Sequence, residues 1–249
     1  MLTPERHRSI LELLHLHHTI KLKDLVHHTG ASDSTIRRDL DQLEQLGKLQ
    51  RVHGGASLRH PASEEPSMGE KSSMFQSEKL NIAQTAANLV QNGESVFIDA
   101  GTTTYEMIPY LSGKDITVVT NGLHHLDALT NHHIQTYVLG GFVKERTRAV
   151  VGTSALDSLN QYRFDQCFIG TNGISLEDGY TTPDPEEAAI KRTTLTLSQK
   201  RYVVADESKF NEVTFSQISP IEEANIITNY NGPLLDQFKG KTNIKVVST

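Results

Sequence analysis

The chain has 249 residues, of which 37% are hydrophobic and 22% charged, and its formal net charge is −6. This length suits one large domain, or a small and a medium one, and no apolar run approaches the ~20 residues that a membrane span needs. The single cysteine, Cys167, excludes an internal disulfide and favours a reducing compartment. We therefore expect a cytoplasmic protein with no membrane partner.

Charge divides unevenly along the chain. Residues 1–60 hold 9 Lys and Arg against 7 Asp and Glu, whereas residues 61–249 hold 15 against 23. The N-terminal part is therefore net +2 and the remainder net −8. A net charge of +2 is weak evidence for nucleic-acid binding, so the positions of the cations matter more than their number.

Two helices joined by a tight turn are predicted near the N-terminus. A short amphipathic helix spans residues 22–29, and Gly30-Ala31-Ser32 supplies the turn. Ser32 suits the N-cap of the next helix, in which Ile36, Leu40, Leu43 and Leu46 recur at helical spacing and form an apolar stripe for a core. The opposite face carries small hydroxyls and two guanidinium groups, which can enter a major groove.

A basic wing is predicted after this helix. Gly47 ends the helix, residues 48–53 alternate polar with apolar side chains as in a strand, and Gly54-Gly55 form a turn. An isolated amphipathic helix with a solvated face is the simpler interpretation, but helix, helix, strand and basic turn in this order favour a winged helix-turn-helix. The residues expected to contact DNA are Ser32, Ser34, Thr35, Arg37, Arg38, Lys48, Arg51 and His53.

The rest of the chain predicts an α/β fold, a doubly wound and mostly parallel sheet covered by helices. Domain boundaries are predicted at 1–57 for the winged helix-turn-helix, 58–74 for a linker and 75–249 for the second domain. The predicted strands are 95–99, 116–120, 136–139, 166–169, 201–205, 224–228 and 243–247, and the clearest helices are 78–90, 105–111, 186–198 and 234–238.

Polar residues follow three of these strands, where ligands bind in such sheets. Gly101 and Thr102–Thr104 lead into a helix and can present amides and hydroxyls to an anion, although a simple capping turn explains them too. Asn121 follows the next strand, and Lys209 follows a later one. The loop lacks the lysine of a nucleotide P-loop, so a sugar phosphate fits better than ATP.

The twelve histidines suggest a metal site only superficially. His15 and His18 alone have helical ligand spacing, and adjacent histidines point in different directions on a helix. We expect neither a metal nor a cofactor.

The sequence resembles the DeoR family of bacterial transcriptional regulators over essentially its whole length. The matching segments are STIRRDL (34–40), VHGGA (52–56), DAGTTT (99–104), VVTNG (118–122), LGG (139–141), VG (151–152), FDQCFIGTNGI (164–174) and DESKF (206–210). This resemblance implies a homo-oligomer, a dimer or tetramer, that binds double-stranded operator DNA and is released by a phosphorylated sugar. It also implies that the second domain is similar in fold to ribose-5-phosphate isomerase.

That kinship raises an active isomerase as the main rival function. Such an enzyme needs paired acid–base groups, but Ile169-Gly170-Thr171-Asn172-Gly173 replaces the acidic motif, and Glu187 stands as a lone acid. We therefore expect a sensor and not an enzyme. The residues expected to bind the effector are Asp99, Gly101, Thr102, Thr103, Thr104, Asn121, Gly141, Asn172, Glu187 and Lys209.

The identity of the effector rests on resemblance alone. The opening MLTPERH and the wing RVHGGA look most like fructose-operon repressors of Gram-positive bacteria, which implies fructose-1-phosphate. Lactose- and tagatose-pathway repressors of the same family leave tagatose-6-phosphate open as the alternative.

Overall fold

The computed structural model describes residues 3–17, 19–46, 48–52, 54–57 and 67–247. The chain divides into two compact units, Met1–Glu65 and Pro66–Thr249. The predicted helix stop at Gly47 and the predicted wing residue His53 lie outside the described residues.

The first unit contains three helices and a small antiparallel sheet. Its elements are α1 (Thr3–His17), β1 (Thr19–Lys21), α2 (Leu22–Thr29), α3 (Asp33–Gln45), β2 (Gln50–Val52) and β3 (Gly55–Ser57). The strands lie in the order β1-β3-β2, so β2 and β3 form the hairpin of a wing. Gly55 lies so close to β1 that a Cβ there would be 2.1 Å from the Ile20 carbonyl oxygen.

The predicted turn between the helices is present. Gly30 ends α2 in the left-handed region, with φ of 68°. Ser32 then caps α3, because its hydroxyl accepts the amide of Thr35 at 3.3 Å. A helix followed by a short glycine-containing turn and a second helix is a helix-turn-helix.

One member of the predicted apolar stripe of α3 does not enter the core. Ile36, Leu40 and Leu43 are buried, but Leu46 is 64% exposed. Leu46 is the C-cap residue after Gln45, and at 3.6 residues per turn it lies roughly 90° from the mean direction of the other three, on the flank of the stripe. Leu49, just beyond the helix, is fully buried and packs in the same core.

The second unit begins with α4 (Met68–Ser73), which lies within the segment that the sequence analysis assigns to a linker. Ser67 and Glu70 form a capping box: the Ser67 amide donates to the Glu70 carboxylate at 2.8 Å, and the Glu70 amide donates to the Ser67 hydroxyl at 3.4 Å. This reciprocal pair stabilises a short helix in a segment without apolar periodicity.

A seven-stranded parallel sheet forms the centre of the second unit, as the α/β prediction requires. Its strands are β4 (Ser95–Ile98), β5 (Thr117–Thr120), β6 (Gln135–Val138), β9 (Phe164–Ile169), β12 (Ser198–Val204), β14 (Asn225–Thr228) and β15 (Ile244–Val246). They lie in the order β15-β14-β12-β9-β4-β5-β6. Buried apolar clusters cover both faces of the sheet, so the domain is doubly wound.

Helices of the second unit lie between these strands. They are α5 (Gln76–Ala87), α6 (Thr102–Tyr105), α7 (His125–Asn131), α8 (Thr153–Leu159), α9 (Pro185–Thr196) and α10 (Leu235–Lys239). The predicted helix over 105–111 is wrong, because α6 ends at Tyr105 and a separate 3-10 helix, Ile108–Leu111, follows. Pro109 lies at the start of that helix and cannot donate a backbone hydrogen bond to a continuous α-helix.

The remaining strands were not predicted. β7 (Phe142–Val143) pairs with β8 (Val150–Val151), and β10 (Gly173–Ser175), β11 (Gly179–Thr182) and β13 (Ser216–Ser219) form a three-stranded antiparallel sheet. These strands have two to four residues. Such short runs give too few positions for an alternating pattern to show in the sequence.

Candidate DNA-binding surface and effector site

The N-terminal turn of α3 presents its hydroxyls and guanidinium groups to solvent. Ser32, Ser34 and Arg38 are exposed, and Thr35 is half-buried. The Ser32 hydroxyl accepts the Thr35 amide and lies 2.8 Å from the Thr35 hydroxyl, so it is engaged mainly in capping the helix. Arg37 donates to Asp33 at 2.9 Å one turn earlier, whereas Arg38 makes no ion pair with any described residue. Arg38 therefore presents an uncompensated positive charge on this surface.

Arg51 in the wing, which is expected to contact DNA, already has partners within the protein. Its guanidinium forms an ion pair with Asp41 and donates to the Arg37 carbonyl at 3.3 Å, and its amide donates to Glu44 at 2.6 Å. These contacts hold the wing against α3. Exposed Lys48 has no ion-pair partner among the described residues.

A buried ion pair joins α1 to α3 behind this surface. Arg6 donates from Nε to one carboxylate oxygen of Asp39 and from Nη2 to the other at 3.0 Å, and His7 lies 3.1 Å from the same carboxylate. Burial raises the pKa of Asp39, but the hydrogen bonds from Arg6 and His7 outweigh it and hold the pKa below its usual value. Asp39 is therefore a structural charge.

At the carboxyl edge of the large sheet, Asp99 follows β4 and is almost completely buried. Its Oδ2 accepts the Gly170 amide at 2.9 Å and also an ammonium hydrogen of Lys191 from α9. Lys191 was absent from the predicted site, although it shares a helix face with the buried residues Glu187 and Leu195, four positions before and after it. A lysine on the buried face of a helix is the sequence signal that could have added Lys191 to the predicted site.

The loop that follows Asp99 is preorganised by Thr104. The Thr104 hydroxyl lies within hydrogen-bond distance of the Asp99 and Gly101 carbonyls and accepts the Gly101 amide at 3.0 Å, so it is used inside the loop. Thr102 and Thr103 are largely buried as residues, but their hydroxyls still reach solvent and form no hydrogen bond with any residue described. Two hydroxyls at the start of α6 thus remain available beside its free amides.

Asn121 is also used as a structural group at the end of β5. Its Oδ1 accepts the Ala100 amide at 3.0 Å, and its Nδ2 lies 3.5 Å from the Val150 carbonyl oxygen. The side chain is almost completely buried. It therefore holds two neighbouring strand ends in register, and a contact with an effector stays a prediction.

Glu187 belongs to a second network of charges. Its Oε1 accepts from Lys144 and from the Thr147 hydroxyl, both at 2.8 Å, and Lys144 also pairs with Asp184 at 2.7 Å. Burial lowers the pKa of Lys144, but the two carboxylates outweigh it and leave the pKa raised. Glu187 is therefore neutralised by an ammonium group and does not stand as the lone acid that the sequence suggested.

Asn172 and Gly141 lie in two other segments. The Asn172 Oδ1 accepts the Thr182 hydroxyl at 3.0 Å. Gly141 lies in an open groove of about 640 Å³ with Phe142 and the Gly152–Ser154 turn. Both residues follow strands of the large sheet and remain predicted effector contacts.

Lys79 on α5 is a buried cation that the sequence analysis missed. Only 4% of the residue is exposed, and its ammonium group donates to the Lys71 carbonyl. Burial is the main reason why its pKa falls to about 8; Lys209 and Lys71 lower it further, while Asp206 and Glu106 raise it. Lys79 therefore lies near Lys209, which was predicted. Its signal was a lysine on the apolar stripe of α5, three and four residues before Ile82 and Ala83.

Two adjacent histidines lie beside the end of β5. Among the described residues, His124 and His125 have no hydrogen-bond partner for their buried ring nitrogens. Their ring centroids are 4.2 Å apart, and the His124 ring stacks on Tyr105 at 5.5 Å. Burial is the main cause that lowers the pKa of His124 to about 4, and burial also holds the pKa of His125 well below its usual value. Gly122 makes room, because a Cβ there would lie 2.2 Å from the His125 Nδ1.

Comparison with known proteins supplies the family. Residues 6–62 match the "DeoR-like helix-turn-helix domain", and residues 74–230 match the "DeoR C terminal sensor domain". The chain belongs to the DeoR family. It is 48% identical over 249 residues to the "Uncharacterized HTH-type transcriptional regulator FruR" of Bacillus subtilis (strain 168), with 99% of each chain covered.

More distant relatives of this DeoR-family protein are also named as regulators. The "Lactose phosphotransferase system repressor" of Staphylococcus epidermidis is 31% identical, with 98% of each chain covered. The "Putative aga operon transcriptional repressor" of Escherichia coli O157:H7 is 32% identical, with 98% of this chain and 93% of that one covered. The solved ribose 5-phosphate isomerase A of Methanocaldococcus jannaschii aligns over 54% of each chain at 15% identity and a TM-score of 0.41, a likeness too weak to support a conclusion.

This DeoR-family protein is a DNA-binding transcriptional regulator and not an enzyme. Within the described residues, no helix combines the length and the hydropathy needed to cross a membrane.

Proposed function

We propose that this DeoR-family protein is a cytoplasmic repressor of a sugar-utilisation operon, released from its operator when the second domain binds a phosphorylated sugar. The observation that carries the proposal is the group of polar atoms at the carboxyl edge of the sheet that have no partner among the described residues, namely the Thr102 and Thr103 hydroxyls and the start of α6, in a unit that also buries Lys79. Because the two hydroxyls reach solvent, they are available to donate hydrogen bonds to a bound anion, and hydrogen bonds to a charged group are stronger than those between neutral groups.

The DNA-binding role falls to the exposed start of α3 and to the wing. Arg38 has no competing carboxylate and is the best candidate for a bidentate contact with guanine. Lys48 is free to bind a phosphate, and Arg51 contributes by holding the wing on α3. Ser32, Ser34, Thr35, Arg37 and His53 complete the proposed contact set.

The effector phosphate is assigned to Gly101, Thr102 and Thr103, with Lys79 and Lys209 as its counter-charges. A helix start supplies free amides and a positive dipole end, both of which favour an anion. Binding a phosphate would also offset the cost of burying the Lys79 ammonium group, since a nearby negative charge favours the charged form. Thr104 shapes the loop by bonding within it.

The sugar hydroxyls are assigned to side chains along the same edge. Asp99 is neutralised by Lys191, so it can accept a hydroxyl without repelling the nearby phosphate as strongly as a lone carboxylate would. The other proposed contacts are Asn121, Gly141, Asn172 and Glu187.

Fructose-1-phosphate is the effector that we propose, and tagatose-6-phosphate is the alternative. The names of two relatives support these choices, since one is a FruR regulator and another a lactose phosphotransferase system repressor. The proposed protein is a dimer or tetramer, because a helix-turn-helix regulator commonly pairs with two operator half-sites. An effector of this kind typically changes operator affinity by 5- to 150-fold, which corresponds to about 1–3 kcal/mol of coupling.

Fluorescence anisotropy on DNA from upstream of its own gene tests the proposal. We expect fructose-1-phosphate to weaken operator binding at least about fivefold, and unphosphorylated fructose to have no effect. Tagatose-6-phosphate and glycerol-3-phosphate complete the series. A Thr103→Val variant should keep operator affinity and lose the response, whereas Thr130→Val, an exposed site on α7, should behave as wild type. The proposal fails if no phosphorylated sugar changes operator binding.

A further inference from the structure

The two edges of the seven-stranded sheet differ in how they are protected. The outer strand β15 carries Lys245, a charged side chain of the kind that keeps edge strands from pairing. The outer strand at the other edge, β6, has the sequence QTYV and leads into LGGFV. Residues 135–143 therefore contain neither a charge nor a proline, the two usual protections of a free edge.

The β6 edge patch, formed by Tyr137, Val138, Phe142 and Val143, is apolar and exposed. The exposed fractions are 46%, 44%, 67% and 40%. Tyr137 lies beside Val119 of β5 and Val138 beside Thr120, so the two side chains lie on opposite faces of the sheet. Among the described residues, no strand pairs with the outer side of β6. The apolar surface thus continues around an open strand edge.

We propose that the β6 edge patch is covered by the same patch of a second copy of this chain, related by a two-fold axis. A two-fold contact uses one self-complementary surface on both copies, and an uncharged strand edge is self-complementary. Residues 61–249 carry a net charge of −8, so two copies repel each other over most of this domain and least at an uncharged patch. A helix-turn-helix regulator also needs a two-fold partner to match paired half-sites.

Sedimentation analysis of the full-length protein tests the contact. Phe142→Lys places a charge at the most exposed member of the patch, and we expect it to raise the dimer dissociation constant at least about tenfold, as loss of an aromatic anchor does. Phe215→Lys is the matched control, because Phe215 is 75% exposed and lies outside the patch. It should leave the dissociation constant unchanged. Circular dichroism establishes that both variants fold.

Cysteine cross-linking provides a second, positional test. Cys167, the sole native cysteine, is buried, so an introduced cysteine is the one exposed thiol. Val138→Cys should form a covalent dimer with a bismaleimide cross-linker, because a two-fold contact over this small patch leaves the two copies of this position within reach of the linker. Val213→Cys, at a 53% exposed control site, should stay unlinked.

Three outcomes would overturn the proposal. They are a monomeric wild type at micromolar concentration, unchanged sedimentation of Phe142→Lys, and cross-linking of the Val213→Cys control without that of Val138→Cys. If Phe142→Lys leaves sedimentation unchanged and Val138→Cys stays unlinked, the result matches a patch that is covered by another part of the same chain.

Discussion

Lys191 on α9 and Asp99 at the end of β4 form a buried ion pair between residues 92 positions apart in the sequence. Their side chains are 7% and 1% exposed, so neither charge can be satisfied by water if the other is removed. The pair connects a helix to the loop that we assign to the effector. Its removal should therefore affect both stability and response.

Asp99→Asn should destabilise the second domain by about 3–5 kcal/mol, because it leaves Lys191 buried without a counter-charge. The double variant Asp99→Leu, Lys191→Met removes both charges and should recover much of that loss, yet it should not respond to effector. Calorimetry measures the first effect and anisotropy with fructose-1-phosphate the second. A single variant as stable as wild type would show that the pair does not hold the loop.

Lys79→Met should stabilise the protein without effector and abolish the gain from effector. The pKa of Lys79 is about 8 in the folded protein, against 10.5 for an unperturbed lysine in the unfolded chain. Between pH 8 and pH 10.5 the unfolded chain therefore binds more protons than the folded protein. Stability of the wild type should therefore rise as pH increases from about 8 to 10.5. The variant should lack this rise and be more stable by roughly 2–3 kcal/mol at pH 7.

Denaturant unfolding at pH 7 and pH 10, with and without fructose-1-phosphate, measures both the pH dependence of stability and the stability gained from the effector. Lys239→Met, at a surface helix, is the charge-matched control and should alter neither the pH dependence nor the response. If Lys79→Met is destabilised and still gains stability from the ligand, Lys79 is not a counter-charge for the effector.

His124 should make the second domain sensitive to acid. Its pKa is about 4 in the folded protein, against 6.5 for an unperturbed histidine in the unfolded chain. Between pH 4 and pH 6.5 the unfolded chain therefore binds more protons than the folded protein. Stability should fall as pH drops from 6.5 towards 4, by up to about 1.4 kcal/mol per pH unit from this residue. His124→Phe keeps the stack on Tyr105 and should reduce the slope, whereas His132→Asn should not. An equal slope in His124→Phe and wild type would contradict the assignment.

Arg38 and Lys48 should differ in how they affect operator binding. Arg38→Ala should cost about 1–3 kcal/mol and relax specificity at one base pair, if the guanidinium reads a guanine. Lys48→Ala should weaken binding to all sequences and reduce the salt slope by about one, as loss of one phosphate contact does. Anisotropy titrations over a salt series, on operator and mutated operator, separate the two. Identical profiles would show that this division of roles is wrong.

Local sequence signals predicted both domains well where the structure depends on near neighbours. The Ser32 cap, the spacing of Ile36, Leu40 and Leu43, and the wing after them all express the geometry of one helix turn or one hairpin. The strands of the large sheet are continuous apolar runs, because both faces are covered. Leu46 shows the limit: it recurs three residues after Leu43, but it lies at the end of the helix and on the flank of the stripe, where it stays exposed.

By itself, the sequence determined the winged helix-turn-helix, the parallel α/β domain and the polar loop after β4, since each depends on spacings of a few residues. Only the tertiary structure decided which charges meet: Lys191 with Asp99, Glu187 with Lys144, Arg51 with Asp41, and Lys79 near Lys209. Such pairs depend on how distant elements cross, and burial decides whether a charge is costly or harmless. A periodicity records which face of an element is buried, but not the partner that the face will contact.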